Sequence, residues 1–342
     1  MARSPTDRDE ALKGKRLAKR VLGSRWLKFA VVVIAVGIGA YTIDKEWGQV
    51  HQALGEIGLL ASFEALLMLL VMQFATLRQW QSLLAGLGST LRTATAGRIF
   101  LIGQLGKYVP GSVWPILTQM ELGARANVPR SRSASASLLT MILSLASGLL
   151  VAAVTLPFAR YSAGYDWAFI LVPLILVCLY PRVLNPLLSW LFKVTRREPL
   201  DKPVTLAILG KALCWSLVAW VANGAQIWIL VDRLGAPPGR AFLIALSGYA
   251  FAWCVGFIII FAPAGAGARD ALLVLALTPL VGSHQALAVA LVSRGVNTVS
   301  DLLVAGGALV GRRRGREADE GKVQRSVPDE TAAPIASGSD GS

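Results

Sequence analysis

The sequence predicts an all-α, polytopic membrane helix bundle, with about eight spanning helices and a re-entrant or broken segment. Three observations favour this class. The 342 residues are 54% hydrophobic and only 16% charged, with a mean hydropathy of +0.57, whereas soluble domains contain about 25% charged residues. The apolar residues form runs of membrane-spanning length. Most Lys and Arg residues lie between those runs.

Eight apolar runs are the candidate crossings. The first follows a long basic segment and lacks a convincing cleavage site, so we expect a retained anchor. The runs cover 26–43, 57–77, 134–156, 168–180, 206–231, 241–261, a short 271–281 and 286–310. They divide the chain into a basic cytoplasmic segment over 1–25, a transmembrane domain over 26–311 and a polar, disordered cytoplasmic tail over 312–342.

The positive charges predict a protein of the cytoplasmic membrane with both termini in the cytoplasm. With eight crossings, the inner segments hold 26 of the 34 Lys and Arg residues and the outer gaps hold four. Cytoplasmic loops carry this excess in membrane proteins. The net charge of +14 is therefore assigned to topology and to anionic lipid head groups, and no nucleic-acid partner is expected.

The sequence indicates neither a metal site nor a cofactor. Cys178, Cys214 and Cys254 each stand alone in an apolar stretch, and His51 and His284 lie in short polar gaps without metal-ligand spacing. The nucleotide-binding pattern GxxxxGK[ST] is absent from the sequence. We therefore expect no metal, no cofactor and no nucleotide-driven step.

The segment 97–120 has the features of a re-entrant or broken piece. Arg92 precedes it, Arg98 lies at its start and Arg125 follows it, so it should enter and return on one side of the membrane. Pro110 removes a backbone donor and disfavours helix at the residue before it. Freed backbone groups cannot face lipid, so the break must be buried in protein or line a wet cavity. A plain kinked helix is the alternative.

A second interruption covers 262–270, where Pro263 and five alternating alanine and glycine residues precede Arg269 and Asp270. The following apolar run, 271–281, is too short to span alone. Paired interruptions in the two halves of a transport protein point to a substrate site near the middle of the membrane.

Several charged or polar residues interrupt the apolar runs, and each ionised one costs roughly 2.5–3.5 kcal/mol on insertion. Arg294, Asn297 and Asp301 share one helix face because of their spacing. Arg294 is expected to pair with Asp301 or Asp270, in either a structural or a substrate-facing role. Glu64 has no partner nearby in sequence, so it needs one from another helix or a proton.

Both interruptions carry motifs that resemble a known family. The motifs are GKYVPGSVW at 106–114, RANV at 125–128, PAGAGARD at 263–270 and SR at 293–294. They resemble the lysylphosphatidylglycerol synthase transmembrane, or flippase-like, family. Asp270 departs from that family's usual Glu. Only a short polar tail follows Val310, so the resemblance implies the lipid-translocating part without the aminoacyl-transferring domain, and hence no enzyme.

The resemblance and the buried charges together predict a transporter of a lipid with an anionic or polar head group. The expected substrate-binding residues are Gln104, Lys107, Tyr108, Pro110, Gly111, Trp114, Arg269, Asp270 and Arg294. Glu64, Asn297 and Asp301 are expected to be coupling or structural charges. Uphill movement would use a gradient or a partner protein, and partners from envelope biosynthesis are possible.

Two other classes of function stay open at this point. A membrane-embedded glycosyltransferase that uses a polyprenyl-phosphate sugar is one, because Asp44 and Glu46 place two carboxylates just after the first run. A non-catalytic scaffold for cell-envelope enzymes is the other.

Overall fold

A computed structural model describes residues 47–108, 114–159, 168–194, 204–237, 239–258 and 267–325. Within these ranges the chain is helical and has no β-strand, so the predicted all-α class is confirmed. The α-helices are α1 (Trp47–Gly86), α2 (Thr93–Gln104), α3 (Trp114–Ala124), α4 (Arg130–Ala159), α5 (Ala168–Leu179), α6 (Pro181–Val194), α7 (Leu206–Asp232), α8 (Ala241–Ile258), α9 (Ala268–Val281) and α10 (Ser283–Arg325). A 3₁₀ turn, Leu105–Tyr108, directly follows α2.

Four of the described helices are long and apolar enough to cross a membrane. They are His51–Gly86 within α1, the whole of α4 and α7, and Ser283–Ala308 within α10. The chain is therefore a multi-pass membrane protein. Helix α8 is apolar but shorter. The predicted run 26–43 lies outside the described residues, so the count of about eight crossings stays a prediction.

Helix α5 matches the predicted run 168–180 to within one residue, but it is too short to cross the membrane alone. It has 12 residues, which span about 18 Å and fall short of a hydrocarbon core of about 30 Å. The chain turns at Tyr180, and Pro181 begins α6. Proline fits the first turn of a helix because no intrahelical bond needs its missing N–H.

Helices α1 and α7 form the centre of the bundle and run antiparallel along each other. Gly86 at the end of α1 meets Ile208 at the start of α7, since a Cβ on Gly86 would lie 2.7 Å from the Ile208 side chain. At the other end, Glu64 of α1 pairs with Arg233, which follows α7. Helices α4, α8 and α10 pack around this pair.

The first interruption is a hairpin of two packed arms, α2 and α3. A Cβ on Gly103 would lie 2.5 Å from Cγ of Gln119, and a Cβ on Gly106 would lie 2.7 Å from the backbone nitrogen of Pro115. The two arms can approach this closely only because both positions are glycine. The segment is therefore broken, and a single kinked helix does not describe it.

The turn after α3 explains the second part of the first motif. The N–H of Val128 donates to the carbonyl of Gly123 at 3.0 Å, and the N–H of Asn127 donates to that of Ala124 at 3.2 Å. Asn127 has a φ of 59°. This pattern is a Schellman C-cap, which requires a left-handed residue and accepts Asn when Gly is absent.

Helix α10 extends further than the sequence analysis predicted. It ends at Arg325, whereas the predicted disordered tail began at 312. The residues that follow Val310 include Arg, Glu, Ala, Lys and Gln, which are strong helix formers. Their propensity continues the helix past the end of the apolar run, and residues 326–342 lie outside the described part.

We expect Gly148→Ala to destabilise the bundle, because Gly148 brings α4 against α7 and α8. An added Cβ would lie 2.5 Å from Cζ2 of Trp220 and 2.8 Å from Sγ of Cys254. Overpacking of this kind costs about 1–3 kcal/mol, which thermal unfolding in detergent would register as a lower Tm. The matched control is Gly210→Ala, where nothing lies within 4 Å. An equal loss in both variants would contradict the close-packing argument.

Candidate functional site

The tip of the first interruption is attached to a buried carboxylate on α10. Asp301 is only 2% exposed. Nζ of Lys107 lies 2.7 Å from Oδ2 of Asp301, and the Tyr108 hydroxyl donates to the same oxygen at 2.5 Å. The side-chain amide of Gln73, on α1, donates to Oδ1. Three donors from two other segments therefore offset the cost of burying this charge.

The second interruption is attached to the same helix through an ion pair. Asp270, in the first turn of α9, accepts from Arg294 of α10 through Oδ2. The same oxygen accepts from the backbone N–H of Gly267 at 3.3 Å, which caps the helix start. Gly267 has a φ of 90°, a conformation that glycine adopts without strain. The structure thus selects Asp270, and not Asp301, as the partner of Arg294.

Arg269 is held beside this pair by an aromatic ring. Its guanidinium lies 5.7 Å from the centre of the Tyr249 ring, and its Nε is 3.6 Å from Oδ1 of Asp270. Helix α8 comes close enough for this contact because a Cβ on Gly256 would meet the Cβ of Arg269 at 3.0 Å. Nε of Arg269 and Oδ1 of Asp270 are buried and have no hydrogen-bond partner among the described residues.

Both interruptions therefore converge on one face of α10. Arg294 and Asp301 are seven residues apart, which is two helical turns and about 10 Å along the axis. We call the group of residues at this face the charged cluster, and it comprises Lys107, Tyr108, Arg269, Asp270, Arg294 and Asp301. Three cations face two carboxylates, which leaves an excess of one positive charge.

The charged cluster lies well inside the membrane-spanning part of the bundle. Gln73, which contacts Asp301, is nine residues after Glu64 and thirteen residues before Gly86. At about 1.5 Å per residue, it lies roughly 14 Å from the Glu64 end and roughly 20 Å from the other. This depth agrees with the position that paired interruptions indicate for a substrate site.

Two cations of the charged cluster, Lys107 and Arg294, are partly accessible, whereas the carboxylate of Asp301 is buried. The side chains of Lys107 and Arg294 are 33% and 37% exposed, compared with 15% for Arg269. A ligand that reaches the cluster would meet Lys107 and Arg294 first. Both can donate to an additional anionic oxygen, because each ammonium or guanidinium group has more than one N–H donor.

The remaining predicted site residues take different positions. Gln104 ends α2 and is partly buried, and Trp114 begins α3 and is 48% exposed. The Asn297 amide donates to the Ser293 carbonyl of its own helix at 2.8 Å. Pro110 and Gly111 lie outside the described residues, as do Asp44 and Glu46 of the glycosyltransferase alternative.

Glu64 is separate from the charged cluster. Its carboxylate lies 3.3 Å from Nη2 of Arg233, and both side chains are about 40% exposed. The partner that the sequence analysis required on another segment is therefore Arg233. Arg233 directly follows the end of α7, so this pair lies toward one edge of the membrane and not at its middle.

Two members of the site were missed as functional residues. Gln73 stands out in sequence as a polar residue in an apolar run, and this signal was available although its contact with Asp301 was not. Tyr249 carries no comparable signal, because a tyrosine in a helix of this hydropathy is common. Only the close packing of α8 on α9 places its ring beneath Arg269.

Comparison with known families decides the relationship of the chain. The family described as "Lysylphosphatidylglycerol synthase TM region" matches residues 25–305. The chain belongs to this family. The match includes both interruptions and the charged cluster, so the predicted resemblance is confirmed. A comparison with curated proteins found no match.

In this member of the lysylphosphatidylglycerol synthase TM family, the two sequence motifs have distinct structural tasks. The first supplies Lys107 and Tyr108 to Asp301 through a glycine-packed hairpin. The second supplies Asp270 to Arg294 from a glycine-started helix. Asp in place of Glu at position 270 still reaches its partner, so the shorter carboxylate does not abolish the pair.

We expect Lys107→Met to destabilise the protein more than the double variant Lys107→Met/Asp301→Asn. The single change leaves a buried carboxylate with only the neutral donors Tyr108 and Gln73, and unpaired buried charges cost about 3–5 kcal/mol. The second change removes that charge and keeps a hydrogen-bonding side chain. Thermal unfolding in detergent would measure the difference, and equal Tm values for the two variants would contradict the role assigned to this pair.

Proposed function

We propose that this protein moves a lipid with an anionic or polar head group across the cytoplasmic membrane, with both termini in the cytoplasm. The observation that supports this proposal best is the charged cluster, which joins two interrupted segments at mid-membrane depth and exposes two of its cations. Ionised residues at this depth are costly and mark substrate or ion pathways in membrane proteins.

The cluster lowers the main energetic obstacle to such movement. A lipid head group must leave water and cross about 30 Å of hydrocarbon, while its acyl chains can remain in the bilayer. Lys107 and Arg294 offer charge-assisted hydrogen bonds to phosphate oxygens part of the way across. The excess of one positive charge favours an anionic head group over a neutral one.

The carboxylates of the cluster keep the empty site stable. Each of the two exposed cations is paired with an aspartate when no head group is bound, so neither of these two is left without a counter-charge. A phosphate that enters competes with Asp301 for Lys107 and with Asp270 for Arg294. Because the phosphate and the aspartates compete for the same cations, the head group can bind at the cluster and can also be released from it.

The energy source in this proposal is an ion gradient or a partner protein, and envelope-biosynthesis proteins are the partners we propose. Asp301 is the better candidate for proton coupling than Glu64. It is buried and contacts the tip of the first interruption, whereas Glu64 is paired with Arg233 away from the cluster. The proposal assigns no enzymatic reaction to the protein.

Replacement of each ion pair in the charged cluster by neutral side chains should slow transport without unfolding the protein. The variants are Lys107→Gln/Asp301→Asn and Arg294→Gln/Asp270→Asn, which conserve net charge. In proteoliposomes with a labelled phosphatidylglycerol, we expect each to reduce the translocation rate at least about tenfold, since one cation, and with it a charge-assisted bond of roughly 1.5–3 kcal/mol, becomes unavailable to the phosphate.

The matched control is Glu64→Gln/Arg233→Gln, which removes an ion pair outside the cluster. Its translocation rate should stay within about twofold of the wild-type rate, because the pair lies outside the cluster and such exposed ion pairs contribute only about 0–1 kcal/mol to stability. Only variants that elute as a single species and retain the wild-type Tm are compared. Unchanged transport in both cluster variants, or an equal loss in the control, would contradict the proposed site.

A further inference from the structure

A second group of cations lies on the outer surface of the bundle, away from the charged cluster. Arg78 of α1 and Lys211 of α7 are both at least partly exposed. The Arg78 guanidinium lies 5.6 Å from the centre of the Trp215 ring, and Trp215 is one helical turn from Lys211 on the same face of α7. Neither cation forms an ion pair with a carboxylate in the described part of the chain.

Arg78 is fixed in place but keeps unused donors. Its Nη1 donates to Oε1 of Gln81 at 2.7 Å and to Oγ1 of Thr93 at 3.2 Å. These bonds and the Trp215 ring hold the guanidinium plane, while Nη2 and Nε have no hydrogen-bond partner assigned to them within the described residues. A guanidinium group oriented in this way is prepared to bind a phosphate through two parallel bonds.

An apolar stripe on α1 begins beside these cations. Phe74 packs edge-on against Trp215 with ring centres 6.0 Å apart, and Phe74, Val71 and Leu67 are 49%, 45% and 42% exposed. From Arg78 to Leu67 is eleven residues, or about 16 Å along the helix. The spacing of three and four residues puts these side chains on the face of α1 that Arg78 shares, so they form one continuous apolar surface.

We propose that Arg78, Lys211 and Trp215 bind the phosphate of a single membrane phospholipid, whose acyl chain lies along Phe74, Val71 and Leu67. The two cations supply the positive charge that a phosphate requires. The exposed apolar stripe on α1 supplies a surface against which one acyl chain can pack. Trp at such a boundary is favoured because its ring is amphipathic.

This lipid site is separate from the proposed transport site. Gln73 and Phe74 are adjacent in sequence, but Gln73 is buried and turned to Asp301 whereas Phe74 faces outward. The lipid would therefore stabilise the α1 and α7 pair from outside. It would hold these two helices together whatever head group occupies the charged cluster.

The test is phospholipid binding by the purified, delipidated full-length protein. Native mass spectrometry during titration with phosphatidylglycerol should show one lipid that is retained more strongly than any others. Lys211→Gln should weaken its binding about fivefold and Arg78→Gln/Lys211→Gln about 25-fold, since each cation near a membrane surface contributes about one such factor. Lys211 is exposed, so its single variant keeps the test valid if Arg78→Gln misfolds.

Two variants control for general charge effects. Arg240→Gln removes an exposed cation just before α8 and should bind the lipid as the wild type does. Glu64→Gln/Arg233→Gln removes an ion pair outside both sites and should also retain it. Equal binding by Lys211→Gln and wild type would overturn the proposal, and so would an equal loss in either control.

The choice of ligand tests whether the site recognises a whole phospholipid. Diacylglycerol offers the chains without the phosphate, and inorganic phosphate offers the anion without the chains. We expect phosphatidylglycerol to raise the Tm of the wild-type protein, and to raise that of Lys211→Gln less at the same concentration. An equal rise with diacylglycerol or with inorganic phosphate would overturn the assignment.

Discussion

The buried carboxylate of Asp301 constrains the arrangement of the whole interior. An aspartate that is 2% exposed in a membrane bundle must either lose its charge or gather donors. It gathers Lys107, Tyr108 and Gln73, and these come from the first interruption and from α1. The requirement to satisfy one charge thus fixes the position of the hairpin tip, the rotation of α1 and the rotation of α10 relative to one another.

Features that depend on local spacing or on the surrounding solvent could be predicted from the sequence. Charge flanks and Pro110 predicted a broken segment over 97–120, and the packed arms α2 and α3 are its observed form. Helical spacing placed Arg294 and Asp301 on one face. It left two acidic partners for Arg294, because the choice depends on how α9 packs against α10, and this packing is a tertiary property.

Features that depend on packing between distant segments could not be predicted from the sequence. Nothing near Lys107 indicates Asp301, which follows it by almost two hundred residues. Nothing near Glu64 indicates Arg233, which meets it just after the end of α7. The extension of α10 also differed, because strong helix formers continue the helix past the end of its apolar run.

The attachment of both interruptions to α10 restricts how this family member can vary in length. Arg294 and Asp301 serve different segments but share one helical register, so an insertion of a single residue between them would turn one side chain about 100° away from the other. One interruption would then lose its anchor whichever way the helix settled. Insertions in the surface turns disturb no such register. Length changes in related chains should therefore collect in those turns, while the seven-residue interval in α10 is preserved even where its intervening residues differ.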